Sequence, residues 1–137
     1  MPADIETLPP LIFGEPGEFR ELMVALVMTG QKTGSSNLKV AYEMAGEAVP
    51  EVGTTYALVE SAGLRVAVVE VLEVVETTPA DVTLELVRHE SPTVAHWRSV
   101  NLAYWETLSP AIRVHLGDPE WQLTDAESVI SKVFRVV

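Results

Sequence analysis

Apolar residues recur at helical spacing near the start of the chain. Pro16 precedes this stretch and Gly30 follows it, and a proline at the start and a glycine just past the end are typical of helix termini. The spacing predicts a first helix with one apolar face. That face is expected to contain Phe19, Leu22, Met23, Leu26 and Val27. A short second helix is predicted over residues 37–45, ending at Gly46.

From Thr54 onward the pattern becomes that of β-strands. Residues 56–59 and 66–75 are rich in β-branched side chains, and the Ser-Ala-Gly stretch between them indicates a hairpin. The second run is long enough to predict a kink or bulge. Two more strands are predicted near the C terminus, over residues 121–123 and 128–137.

Helical segments are predicted between these two groups of strands. One opens at Pro79 with Thr78 as its N-cap, and another starts at Ser91-Pro92 and runs through Trp105. The order helix, strands, helices, strands predicts an α+β domain around a small curled sheet. Residues 1–12 are expected to form a flexible arm, and residues 13–137 a single domain.

Composition narrows the class of protein. The chain has 137 residues and no cysteine, which excludes disulfides, thiolate metal sites and cysteine nucleophiles. We find no signal peptide, no lipidation motif and no apolar run long enough to cross a membrane, so a cytoplasmic protein without a membrane partner is expected. The three histidines, His89, His96 and His115, lack metal-site spacing, and we expect no metal and no cofactor.

The charge balance limits the possible partners. Nine Lys and Arg residues against twenty Asp and Glu give a formal net charge of -11. Binding to a phosphate backbone depends on clustered cations, so non-specific nucleic-acid binding is not expected. A nucleoside or a short single-stranded RNA remains a possible partner if several of the few cations converge on one cleft.

The segment from Gly30 to Ser36 concentrates candidate chemistry directly after the first helix. Lys32 can act as a base for the hydroxyl of Thr33 or Ser35 if its ammonium is desolvated at a cleft. Alternatively, Lys32 caps the carbonyls at the end of the helix while the hydroxyls turn the chain. A phosphate-binding P-loop is excluded, because there the Gly-Lys pair opens a helix.

Aromatic residues form a second candidate feature. Trp97, Tyr104 and Trp105 fall on one side of a predicted helix, where they can stack on a nucleobase or fill the core. Arg98 can reach a phosphate or pair with Glu90. Glu90 itself can donate a proton to a leaving amine or lie paired on a solvated face.

Taken in order, motifs along most of the chain resemble the ASCH domain family. They are Phe13-Gly14, Leu26-Val27, Gly30-x-Lys32-Thr33-x-Ser35, Tyr42-Glu43, Pro50-x-Val52-Gly53, the strand Val68 to Val75, Asp81-Val82-Thr83, Glu90, Trp97-Arg98 and Phe134 to Val137. The resemblance implies a PUA-like β-barrel with flanking helices. It also implies either an RNA-binding module or an amidohydrolase that removes an acyl group from the exocyclic amine of cytidine.

The resemblance implies site residues as well. A lysine, a hydroxyl residue three positions later and a glutamate map onto Lys32, Ser35 and Glu90 as catalytic residues. The chain departs from the family at Asn101, where a histidine is common, and at Thr54, where an aspartate is common. The expected ligand contacts are Lys32, Thr33, Ser35, Ser36, Trp97, Arg98, Asn101 and Tyr104.

Three functions therefore stay open. The first is a module that binds a nucleoside-like ligand or short RNA in a cleft beside Lys32. The second is the amidohydrolase, with Ser35 or Thr33 as nucleophile, Lys32 as base and Glu90 as proton donor. The third is a catalytically silent interaction or regulatory domain.

Overall fold

The computed structural model describes residues 4–137, which form five strands and five α-helices. The strands are β1 (Pro10–Leu11), β2 (Gly34–Leu38), β3 (Thr55–Val59), β4 (Arg65–Thr77) and β5 (Val129–Val136). The helices are α1 (Glu18–Met28), α2 (Lys39–Ala45), α3 (Leu84–Val87), α4 (Val94–Glu106) and α5 (Ser109–Leu116), with a 3-10 helix over Ile5–Thr7. None of these helices has the length and apolarity needed to cross a membrane.

The strands form one sheet with the order β1-β3-β4-β5-β2. Strand β1 pairs in parallel with β3, and β3 pairs antiparallel with β4 as the hairpin pattern predicted. The register shifts between Leu58 and Val59, since Leu58 pairs with Ala67 and Val59 with Arg65. The predicted irregularity therefore lies at the turn end of this hairpin.

The chain clusters into two compact units. The first comprises residues up to 33, residues 50–73 and residues 133–137. Its core is formed by Leu11, Val24, Val27, Leu58, Val69 and Phe134. Helix α1 contributes Val24 and Val27 to this core, and its Arg20 is also buried.

The buried face of α1 differs from the predicted one. Phe19 and Leu22 are 57% and 54% exposed, whereas Arg20 is 8% exposed and its Nη2 donates to the carbonyl of Gly14. Apolar residues occupy more than half of this helix's circumference, so periodicity alone does not select the side that packs on the sheet. Tertiary packing makes that choice.

Part of the expected N-terminal arm is anchored. Arg65 Nη1 donates to the carbonyls of Ile5 and Leu8 at 3.0 and 2.6 Å, and the carbonyl of Pro9 accepts from Ala57 N. Leu11 is buried. The chain therefore joins the first unit well before residue 13, while the first three residues of the expected arm lie outside the described residues.

The second unit comprises residues 34–49 and 74–132. Its core is built from Leu38, Val40, Val87, Trp97, Trp105, Ile112 and Val129. Trp97 and Trp105 of α4 meet edge to face, with ring centroids 5.7 Å apart. Both indoles are buried, so these two residues are core residues, one of the two roles that their spacing allowed.

Three predicted elements of this unit were wrong. Residues 34–38 form strand β2 where a loop and the start of a helix were expected, and α2 begins only at Lys39. Thr83 rather than Thr78 caps α3, because the Thr83 hydroxyl accepts from Leu86 N. Residues 121–123 are not a strand, although Trp121 and Leu123 pack against the core.

Replacing Trp97 by alanine should destabilise the protein by about 3–5 kcal/mol, since it leaves a large cavity. Tyr104→Ala is the matched control on the same helix, because Tyr104 is 55% exposed; it should cost less than about 0.5 kcal/mol. Urea unfolding of both variants measures the difference. Equal losses would contradict the assignment of Trp97 to the core.

Candidate functional site

Lys32 of the first unit follows the end of α1, and backbone hydrogen bonds fix its position. Gly30 adopts a φ of 77°, a left-handed conformation that glycine accepts readily, and its N–H donates to the carbonyl of Val27. The N–H groups of Gln31 and Lys32 both donate to the carbonyl of Leu26 at 2.9 Å. The main chain of Lys32 thus helps to cap the helix.

The side chain of Lys32 points elsewhere. Its Nζ lies 5.4 Å from the centroid of the Phe13 ring, a cation–π contact. Lys32 also lines an open hollow of about 290 Å³ together with Thr33 and Arg135. The remaining walls are Val27, Met28, Thr29, Gly30, Phe134 and Val136. The main chain of Lys32 therefore takes part in capping α1, while its side chain contacts Phe13 and lines the hollow.

Arg135 brings a second cation to this hollow. Its Nη2 lies 2.9 Å from Glu70 Oε1, yet 63% of the arginine side chain stays exposed. Sequence reasoning did not single out Arg135, because it lies more than 100 residues from Lys32 in the chain. The pairing of Thr33 with Phe134, whose N–H donates to the Thr33 carbonyl at 2.9 Å, brings the two segments together.

Strand β2 of the second unit presents hydroxyl groups on both of its faces. Side chains alternate along a strand, so Gly34, Ser36 and Leu38 share one face and Ser35 and Asn37 the other. Ser36 Oγ donates to Glu90 Oε2 at 2.6 Å and lies 2.7 Å from Ser131 Oγ. The structure therefore brings Ser36, and not Ser35, into contact with Glu90.

The register of β2 against β5 explains the contact between the two serines. Lys39 N donates to the carbonyl of Ser128, and Ser36 meets Ser131, so the partner number falls as the chain advances. The two strands consequently run antiparallel, and Ser36 and Ser131 face each other as a cross-strand pair. Ser131 is 2% exposed, which leaves its hydroxyl with little access to water.

Gly34 controls how closely residues 89–90 approach β2. A Cβ at position 34 would lie 2.7 Å from the Cβ of His89 and 3.0 Å from the carbonyl oxygen of Lys132. Neither atom is the end of a flexible side chain, so any larger residue would push the His89 segment away. A glycine inside a strand often marks a site where another segment approaches closely. The sequence alone did not show this, because residues 34–38 were not predicted to form a strand.

The structure also gives the surroundings of the other residues of this unit that were expected to contact a ligand. Arg98 Nη2 contacts both carboxylate oxygens of Asp125 at 3.0 Å, and its Nη1 donates to the carbonyl of Pro79, so the arginine pairs with Asp125 and not with Glu90. Asn101 Nδ2 donates to the carbonyl of Trp97 within α4. Trp97 offers no accessible face for stacking, whereas the ring of Tyr104 is exposed.

Residues 4–137 contain no group of three or more His, Asp or Glu side chains placed to share an ion. The expected catalytic residues are divided between the units: Lys32 belongs to the first, and Ser35 and Glu90 belong to the second.

Gly34→Ala should destabilise the protein by about 1–3 kcal/mol, the usual cost of overpacking a close contact. Ser35→Ala is the control, since it removes a hydroxyl from the neighbouring residue on the opposite face of the strand. Thermal and urea unfolding compare the two variants. A Gly34→Ala protein as stable as the wild type would show that the His89 segment shifts freely.

Comparison with known proteins agrees with this fold. A family model described as the ASCH domain matches residues 10–137. A crystal structure of a protein from Enterococcus faecalis V583, described under the family model DUF984, has a TM-score of 0.81 at 19% identity and covers 98% of this chain and 78% of that one. The crystal structure of an ASCH domain from Lactobacillus crispatus JV V101 has a TM-score of 0.77 at 17% identity, with coverage of 94% and 79%.

No curated protein matches the chain with significance. The two structural neighbours share its α+β, PUA-like fold, which confirms the predicted fold class. The family match extends over nearly the whole sequence, from Pro10 to the last residue, Val137. This chain belongs to the ASCH domain family.

Proposed function

We propose that the protein binds a nucleoside-like ligand or a short single-stranded RNA in the hollow beside Lys32. The observation that carries the proposal is the meeting of Lys32 and Arg135 at one hollow in a chain with only nine Lys and Arg residues. Two cations at one opening suit a phosphate group. The acidic remainder of the chain repels an extended nucleic-acid backbone and so favours a small ligand.

The shape and lining of the hollow support the same ligand class. Its volume of about 290 Å³ is at the small end of the range for ligand pockets and suits one nucleotide better than a folded RNA. Val27, Met28 and Val136 supply apolar walls, and Thr29 and Thr33 carry hydroxyl groups near the cations. Such a mixture of apolar surface and a few polar groups is typical of small-molecule sites.

Arg135 is expected to exchange partners when a ligand binds. The side chain of its present partner Glu70 is 31% exposed, and ion pairs that water reaches contribute little to stability. A phosphate in the hollow competes with that carboxylate at little cost to the fold. The ion pair can therefore hold the arginine side chain near the opening without preventing its use.

Lys32→Met should weaken binding of cytidine monophosphate and of a short oligouridine by about tenfold, the loss of one charged hydrogen bond. Binding should also become less sensitive to salt, with the slope against log salt concentration smaller by about 1. Calorimetric titration at two salt concentrations measures both effects.

Lys39→Met is the matched control for that titration, because Lys39 pairs with Glu76 on an exposed surface of the second unit. It should bind the ligands like the wild type, and duplex DNA should bind to neither protein. Absence of binding at low salt, or equal affinities for the Lys32 variant and the wild type, would contradict the proposal.

An amidohydrolase is the second candidate, and the hydrogen bond between Ser36 and Glu90 favours it. A hydroxyl 2.6 Å from a carboxylate has a base within reach, as nucleophilic catalysis requires. The family resemblance supplies the substrate class, a cytidine acylated on its exocyclic amine. Both residues are partly buried, which limits the water around them and strengthens their interaction.

Incubation with N-acylated cytidine should release cytidine, detected by chromatography. Glu90→Gln should slow release by about a hundredfold or more, the usual contribution of a general acid or base. Glu85→Gln, an exposed glutamate of α3, is the control and should retain the wild-type rate. Release at the same rate by the Glu90 variant would exclude this carboxylate from the reaction.

A further inference from the structure

We infer that Ser36 is the residue acylated during hydrolysis and that Ser131 stabilises it as a hydrogen-bond donor. The inference rests on the amidohydrolase proposal for its substrate, but assigns the chemistry to a different hydroxyl than the one that the family resemblance implies, Ser35. Its basis is the chain of contacts from Ser131 through Ser36 to Glu90 in the second unit.

The number of available protons determines which group donates in each of these hydrogen bonds. A serine hydroxyl has one proton and two acceptor lone pairs, and an ionised carboxylate only accepts. Because Ser36 gives its proton to Glu90, the proton between the two serines belongs to Ser131. Ser131 therefore donates to Ser36 Oγ, although the distance of 2.7 Å alone does not reveal which atom is the donor.

This arrangement has the polarity that a nucleophilic hydroxyl requires. As Ser36 loses its proton to Glu90, negative charge develops on Oγ, and the Ser131 hydroxyl already points at that atom. A donor that is in place before the charge forms stabilises it without reorganisation. Ser131 is buried on a central part of β5, so its hydroxyl is held in this position rather than turned toward solvent.

The proposed reaction balances with these groups alone. Ser36 Oγ attacks the amide carbonyl carbon while its proton passes to Glu90 Oε2. The tetrahedral intermediate then collapses as the carbon–nitrogen bond breaks, and Glu90 returns the proton to the leaving amine. Water next attacks the Ser36 ester and gives a proton to Glu90; the carboxylic acid leaves, and the proton returns to Ser36 Oγ.

Ser35 is disfavoured as the acylated residue by strand geometry. It lies on the face of β2 opposite Ser36, so the Glu90 carboxylate that could accept its proton is on the wrong side. The two serines are adjacent and similarly exposed, which makes them a natural matched pair for labelling.

The test is labelling with p-nitrophenyl acetate, followed by mass spectrometry of peptides from the wild-type protein. We expect one acetyl group, on Ser36. Labelling should be lost in Ser36→Ala, retained in Ser35→Ala, and slowed about a hundredfold in Glu90→Gln. The inference would be overturned if the acetyl group were found on Ser35 or on Lys32. It would also be overturned if no acetylation were detected, even transiently.

Ser131 is tested as a positioning residue by a pair of variants. Ser131→Ala should slow acetylation of Ser36 by about tenfold, while Ser131→Cys, which keeps a weak donor of similar size, should recover part of that rate. Melting temperatures show whether each variant is folded. Equal acetylation rates in the alanine variant and the wild type would reject the role of Ser131.

Failure of this inference is distinguishable from failure of the hydrolase proposal. Full turnover of N-acylated cytidine by Ser36→Ala would leave the hydrolase standing and remove Ser36 from it. If Ser36 is acetylated but no cytidine is released from N-acylated cytidine, the assignment of Ser36 stands and the hydrolase proposal fails. The nucleophile would then be present, but the substrate class would be wrong.

Discussion

The second unit depends on the close approach of residues 89–90 to strand β2. The approach is possible because residue 34 is a glycine. The Cβ of His89 lies where a side chain at position 34 would be. It brings the carboxylate of Glu90 to the hydroxyl of Ser36 two residues further along the same face. One missing methyl group thus sets the geometry of the hydroxyl–carboxylate cluster, and the rest of the candidate chemistry follows from it.

Long segments with clear periodicity were predictable from the sequence. The β3–β4 hairpin, helix α4 and the C-terminal strand each contain enough β-branched or helically spaced residues to override local ambiguity. The α+β class follows from their order. The resemblance to the ASCH family added the PUA-like architecture, because several weak motifs in a fixed order are more specific than any one of them.

Strand β2 was not predictable, so the sequence did not indicate which of its hydroxyl groups faces Glu90. Its sequence, Gly-Ser-Ser-Asn-Leu, has turn-forming residues and no β-branched side chain. Pairing with β5 makes it a strand, a contact more than 90 residues away in sequence. A loop would have let Ser35 turn toward Glu90, whereas a strand fixes Ser36 on that side. Ser131 was not identified as a candidate for the same reason. Its contact with Ser36 depends on the pairing of β5 with β2, which the neighbouring residues in the sequence do not indicate.

The division of the candidate residues between two units bears on how function is inferred for this family member. The first unit contains Lys32 and Arg135 at one hollow, and the second contains the Ser36 hydroxyl hydrogen-bonded to the Glu90 carboxylate. The two groups of side chains lie in units with different core residues. A family resemblance that spans both therefore does not choose between binding and hydrolysis. The choice depends on whether the protein turns over an acylated cytidine, whichever hydroxyl group takes part.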